Sequence, residues 1–304
     1  MKPHFHLLLG AVVATLPLTA AAQEMSGIAT FGLGNLNGPS GFPDVSVRSL
    51  DGKLDLSYDN GLMLGASAAS ARADVDGFAE DASANVFGLT AGANFASFWN
   101  GGVYYEFGDV SIDGIGNESI DSYGVFMGYD SDLMAFEVFA GTTDGYVLSG
   151  TGVDWNDLGA SASFNIGAEG TVGGHIQRSR LSAAGVDVDL TSLGLGGSYA
   201  FGNGLVGYAG ITYGEVDDLI GDLTTYGLGL GYDLSTTANF PATLSLEVAR
   251  STLDDGTTSA DLDSIRFGIT LPVGGTKSAP LNSVASNAMS PNRTALSTAL
   301  VGSF

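Results

Sequence analysis

Thr225-Tyr226-Gly227-Leu228-Gly229-Leu230-Gly231-Tyr232-Asp233-Leu234 places a large apolar residue at every second position, with glycine at three of the positions between. Side chains with this spacing lie on opposite faces of a β-strand, here one apolar and one almost bare. A helix would spread the same residues around its circumference, and each interior glycine would cost about 1 kcal/mol relative to alanine. The strand reading extends in both directions. Tyr123, Val125, Met127 and Tyr129 alternate with small residues, as do Leu158, Ala160, Ala162, Phe164 and Ile166. Phe87 to Phe95, Val103 to Phe107, Leu193 to Phe201, Leu244 to Val248 and Ile265 to Leu271 repeat the pattern, often with an aromatic residue closing the apolar stripe.

Composition shows what such strands can build. Glycine supplies 46 of 304 residues, about 15% and roughly twice the usual share. Hydrophobic residues make up 44% of the chain, too many for a disordered acidic polymer. Acidic residues outnumber basic ones 33 to 10, for a net charge of −23, and no basic stripe is present, so nucleic acid is excluded as a partner. The absence of cysteine excludes disulfides, thiol nucleophiles and thiolate metal sites.

Lys2, the apolar run Leu7 to Leu18 and the small residues Ala20-Ala21-Ala22 form an export signal over 1–22. The run is shorter than the roughly 20 residues of a membrane helix and is broken by Pro17. Of the three histidines, only His175 lies in the exported chain. From 23 to 272, short turn-forming breaks such as Asp59-Asn60-Gly61 and Gly202-Asn203-Gly204 alternate with longer acidic ones: 74–81, 109–121, 143–157, 181–189, 215–222 and 252–263. Short periplasmic turns and long outer loops alternate in this way in an outer-membrane barrel. The expected fold is all-β, a transmembrane antiparallel up-and-down barrel of about fourteen strands, with about twelve to sixteen compatible. In the strand over 45–58 the apolar parity shifts near Leu50, which suggests a bulge. Residues 273–304 lose the alternation and are expected to form a flexible or partly helical tail, with a short helix at 294–301; a final strand ending on Phe304 is the alternative.

The stretch at 225–234 and its counterpart Ser122-Tyr123-Gly124-Val125-Phe126-Met127-Gly128-Tyr129-Asp130 resemble strands of the general-diffusion porins of Gram-negative bacteria. The resemblance is one of strand texture over 26–272. It implies a channel for small hydrophilic solutes in the cell outer membrane, commonly a trimer of sixteen-stranded barrels with an inward-folded constriction loop. Two features of this sequence depart from that pattern: the strand count is nearer fourteen, and no loop is long enough to form the constriction.

If the apolar stripes face lipid, the opposite parity lines the lumen, which makes Asp51, Lys53, Asp55, Glu106, Glu137, His175, Gln177, Glu247 and Arg266 the pore-lining candidates. Fixed carboxylates in a narrow aqueous passage favour cations, so the expected function is a passive porin with a weak cation preference. The alternative is a closed structural or adhesive barrel acting through its acidic outer loops, with Lys53 and Arg266 neutralised by nearby carboxylates. His175 has no Gly-x-Ser-x-Gly elbow to accompany it and is read as a lumen or interface residue, so the chain is not read as an enzyme. The acidic clusters Asp74, Asp76, Glu80, Asp81 and Asp254, Asp255, Asp261, Asp263 do not fit the twelve-residue calcium loop, and neither a cofactor nor a metal is expected. The implied partners are outer-membrane lipids and small hydrophilic solutes or cations, with homo-oligomerisation left open.

Overall fold

A computed structural model describes residues 24–39, 43–75, 81–112, 116–145, 154–183, 186–216, 221–238, 240–254, 256–273, 279–290, 292–294 and 298. The expected export signal lies outside them, as does Phe304. Period-2 segments become strands of 12 to 17 residues. They are β1 Glu24–Asn37, β2 Val45–Ser57, β3 Leu62–Val75, β4 Asp81–Asn94, β5 Trp99–Ile112, β6 Gly116–Asp130, β7 Met134–Gly145, β8 Asp154–Ile166, β9 Gly170–Ala183, β10 Val186–Gly202, β11 Leu205–Val216, β12 Gly221–Asp233, β13 Thr243–Asp254 and β14 Ser259–Val273. Each strand pairs antiparallel with its chain neighbours, and β14 pairs with β1 from Gly27↔Val273 to Asn37↔Asp263, closing a fourteen-stranded barrel. Among the described residues two short helices accompany it: α1 Ser235–Ala238 in the β12–β13 connection and α2 Val284–Met289 after the barrel.

Closure supplies every strand with two partners, so no edge is left with unpaired backbone groups. It also fixes the two faces. Along β12, Tyr226, Leu228, Leu230 and Tyr232 are exposed on the outer wall, while Thr225, Gly227, Gly229, Gly231 and Asp233 are buried within. Phe31, Leu33, Leu89, Val125, Leu195, Val248 and Phe267 continue the apolar exterior around the barrel. Water would not tolerate so broad an apolar surface, and a bilayer requires it. None of the described helices is long and apolar enough to cross a membrane; the strands make the crossing.

Two local expectations are corrected. Pairing of β2 with β1 and β3 runs without a register shift, so no bulge is needed near Leu50. The parity change arises because Val47 is an inward apolar residue, whereas Arg48 points outward beyond the apolar band. The acidic breaks also prove shorter than the sequence suggested, because the ladders continue into them: Asp109 pairs with Ser119, and Asp189 with Arg180. Strands longer than the 9–11 residues of a membrane crossing carry these polar extensions past the lipid. The β10–β11 turn keeps the expected short form, with Gly202, Asn203 and Gly204 all at positive φ.

Inward glycines make room for side chains from adjacent strands. A Cβ on Gly229 would collide with the ring of Tyr208, whose ring atoms are its nearest neighbours. Gly229→Ala is expected to destabilise the barrel by about 1–3 kcal/mol through overpacking. Combining it with Tyr208→Leu should give a loss clearly below the sum of the single losses. Urea titration of the folded band on unheated gels measures both, and strict additivity would show that the ring does not occupy that space.

Candidate functional site

The lumen of the barrel is occupied by the chain that follows β14. The described residues after it, within 279–290, 292–294 and 298, lie against the inner wall, with Ala279, Val284, Ala285 and Ala288 each at most 2% exposed. The contacts are mainly polar. Leu281 N–H donates to Thr30 Oγ1 at 3.1 Å, and Asn282 Nδ2 donates to Ser49 Oγ at 2.8 Å. Arg266 Nη1 donates to the Asn282 carbonyl at 2.8 Å and lies 3.7 Å from Glu247 Oε2. Glu247 Oε1 in turn accepts the Val284 N–H at 3.0 Å. The Glu247 carboxylate thus meets the first turn of α2, where helix N–H groups lack internal partners. Ser283 caps the same turn, its hydroxyl oxygen accepting the Ser286 N–H at 3.1 Å.

Below α2 the wall is bare. Gly196 of β10, Gly210 of β11 and Gly227 of β12 are direct cross-strand neighbours. Cβ atoms at these positions would stand 2.7–2.8 Å from Ala285 or Val284. A row of glycines lets the helix backbone approach the sheet as no larger residue would. Beside it, His175 Nδ1 lies 2.8 Å from the Ala288 carbonyl and Nε2 lies 3.0 Å from Ser192 Oγ. A carbonyl only accepts, so Nδ1 carries the proton and Nε2 accepts from the serine. Further along, Gln177 Oε1 accepts the Thr298 hydroxyl at 3.0 Å, and Thr298 N–H donates to the Thr294 carbonyl at 3.0 Å in a helical bond. Those two threonines fall within the helix expected at 294–301, most of which lies outside the described residues.

Arg293 occupies a pocket built by β5, β6 and β7. Its guanidinium carbon stands 4.8 Å from the ring centre of Tyr104, 5.0 Å from Phe139 and 5.6 Å from Phe126. Nη1 donates to Glu137 Oε1 at 2.6 Å, and the backbone N–H donates to Glu106 Oε2 at 2.8 Å. The three rings form their own buried cluster, with Tyr104 and Phe139 edge to face at 5.9 Å.

Of the nine pore-lining candidates, Glu106, Glu137, His175, Gln177, Glu247 and Arg266 converge on this inner segment. Asp51 is buried on the same wall beside a small cavity of about 10 Å³ that Asn282 also lines. Lys53 and Asp55 are paired at 3.7 Å and about half exposed, toward the end of β2. Asp157, assigned to a loop on sequence grounds, is instead a buried wall residue accepting from Thr143, Ser179 and Trp155. Arg293, Tyr104, Phe126 and Phe139 were not among the candidates. The rings had a readable signal, because Tyr104 and Phe126 are aromatic residues at the polar phase of their strands.

Of the acidic clusters, Asp74, Asp261 and Asp263 lie elsewhere, on the outer face of the strand extensions, and pair with arginines, whereas Asp76, Glu80 and Asp255 lie outside the described residues. Asp74 lies 3.2 Å from Arg48, Asp263 lies 2.6 Å from Arg250, and Asp189 is clamped by Arg178 and Arg180. Exposed pairs of this kind are screened by solvent and add little to stability. No group of three or more potential metal ligands occurs among the described residues.

A closed antiparallel barrel of fourteen strands with an apolar exterior and a polar interior is the fold of a membrane-spanning β-barrel. Solved structures share that fold. The anion-selective porin from Comamonas acidovorans aligns over 82% of this chain and 98% of its own, at 12% identity and a TM-score of 0.53. A Pseudomonas aeruginosa FadL homologue aligns over 83% and 90%, at 12% identity and 0.51. No protein-family model matches the chain, and no curated protein sequence does.

The chain contains no cysteine, so a double substitution reads the position of the inner segment directly. Ser49→Cys with Asn282→Cys, whose native side chains touch at 2.8 Å, is expected to cross-link with a short bifunctional thiol reagent and shift gel mobility. Cysteines placed at Asn282 and on the outer face at Leu195 should not cross-link within one molecule.

Proposed function

We propose that the protein is an outer-membrane channel for small hydrophilic solutes, with a preference for cations, whose lumen is held closed by its own C-terminal segment. The supporting observation is the chemistry of the inner wall. A permanently closed core would be filled with apolar side chains, since buried polar groups without partners cost several kcal/mol each. This wall instead presents Ser49, Ser122, Ser192, Thr225, Gln177 and His175, groups that water satisfies as well as peptide does.

The charge balance favours cations. Among the described wall residues, Asp51, Asp55, Glu106, Glu137, Asp157 and Glu247 face inward against Lys53 and Arg266. With the segment seated, Arg293 offsets part of that excess; with it withdrawn, the full excess faces the passage. The outer apolar wall would sit in lipid, and the export signal would deliver the chain to the periplasm.

Planar-bilayer recording of the full-length protein tests the proposal. Wild type is expected to conduct rarely. Arg293→Ala, which removes the guanidinium from its pocket, should raise the open fraction about tenfold if it removes about 1.4 kcal/mol of the closing interaction. Reversal potentials in a salt gradient should favour cations, and Asp51→Asn should weaken that preference. Silence from wild type and Arg293→Ala alike would favour the closed barrel that acts through its outer loops.

A further inference from the structure

We infer that the pocket holding Arg293 is a binding site for small solutes bearing a guanidinium or alkylammonium group, and that Arg293 is its built-in occupant. Solute access to the site through the lumen rests on the channel proposal; the binding chemistry rests on the pocket itself.

The site belongs to the wall. Tyr104 and Phe139 are each 3% exposed, Phe126 is 8% and Glu106 is 5% exposed, and all four project from neighbouring strands of the barrel. Space for the rings is built into the sheet. The Tyr104 hydroxyl lies where Gly124 and Gly141 have no side chain, and the Phe139 ring lies over Gly159. Ring-on-ring and ring-on-glycine packing does not involve Arg293, so the pocket persists when the arginine withdraws.

Its chemistry is selective. Three aromatic faces stabilise a delocalised, weakly hydrated cation better than a small ion that must shed a tightly held water shell. Glu137 adds a carboxylate at hydrogen-bonding distance from the guanidinium, and Glu106, which accepts the Arg293 backbone N–H, adds a second carboxylate to the same pocket. Sodium or potassium would gain from the carboxylates but little from the rings. A guanidinium gains from both, as Arg293 does.

The occupant is tethered, so it competes as though present at about millimolar concentration. A free solute therefore meets a filled site in the wild-type protein, and one that displaces Arg293 removes one of the contacts holding the segment in the lumen. Solute binding and opening are then coupled through a single side chain.

Calorimetry on the full-length folded protein, with methylguanidinium as the probe, tests this. Arg293→Ala should bind it at least about tenfold more tightly than wild type, because the tethered competitor is gone. Adding Glu106→Gln and Glu137→Gln to Arg293→Ala should abolish that gain, and equal concentrations of sodium should not compete. Equal binding by wild type and Arg293→Ala, or binding indifferent to the glutamates, would overturn the assignment. Unheated gel mobility checks folding of each variant, and Arg293→Gln, which keeps a polar head without the charge, replaces Arg293→Ala if that variant does not fold. Bilayer recording separates the two proposals: binding without conductance leaves the site standing and removes the channel, whereas conductance without binding does the reverse.

Discussion

The ladder between β1 and β14 is the constraint on which the rest of the structure depends. Fourteen strands paired only with their neighbours in sequence would leave two edges of unpaired amides and carbonyls, which hydrocarbon cannot satisfy. Once Gly27 to Asn37 pair with Val273 to Asp263, every strand acquires a fixed inside and outside. The alternation of side chains then becomes a division between two environments. Apolar residues meet lipid on one face, and glycine, serine, threonine and a few charges meet whatever fills the lumen on the other. One strand slipping by a single residue would exchange its two faces, so the pattern in the sequence and the closure of the sheet support each other.

That division explains which parts of the fold were legible in the sequence. The outer face was readable because lipid tolerates only apolar side chains there, and Tyr226, Leu228, Leu230 and Tyr232 carry the period without interruption. The inner face carried a weaker message. Gly196, Gly210 and Gly227 marked an empty strip, but a strip left for water and a strip left for a helix have the same sequence. The chain beyond β14 has no strong period of its own, so its place could not be read from alternation. Ala285 and Ala288 acquire meaning only against the glycines they cover. Inward aromatics such as Tyr104 and Phe126 fall at the polar phase, and an aromatic ring out of phase in a barrel strand marks something inside worth packing against. Acidic stretches were read as loops because charge and turn residues coincide there, yet the ladders run through Asp109 and Asp189.

Within the lumen, hydrogen bonds and charge do most of the selecting. Arg266, Glu247 and the first turn of α2 form one connected group: the arginine supports both the Asn282 carbonyl and the carboxylate that receives Val284. Breaking a buried group of this kind by removing one member strands the others, which is why single truncations there cost more than the pair is worth. The Arg293 pocket is of a different kind. Its rings are held by the wall, and its two carboxylates by neighbouring strands, so it loses its occupant without losing its shape. The inner segment is thus held at one end by interdependent contacts and at the other by a socket that stands alone.

The inner segment follows β14, and β14 ends beside the start of β1, at the end of the barrel where the short turns lie. Chain order therefore imposes an order of events. The segment can take its seat across β9 to β12 only after those strands have assembled, and it must enter through the mouth at which β14 finishes. Any agent that withdraws the segment must draw it back through that same mouth, so the protein has a preferred side from which it can be opened.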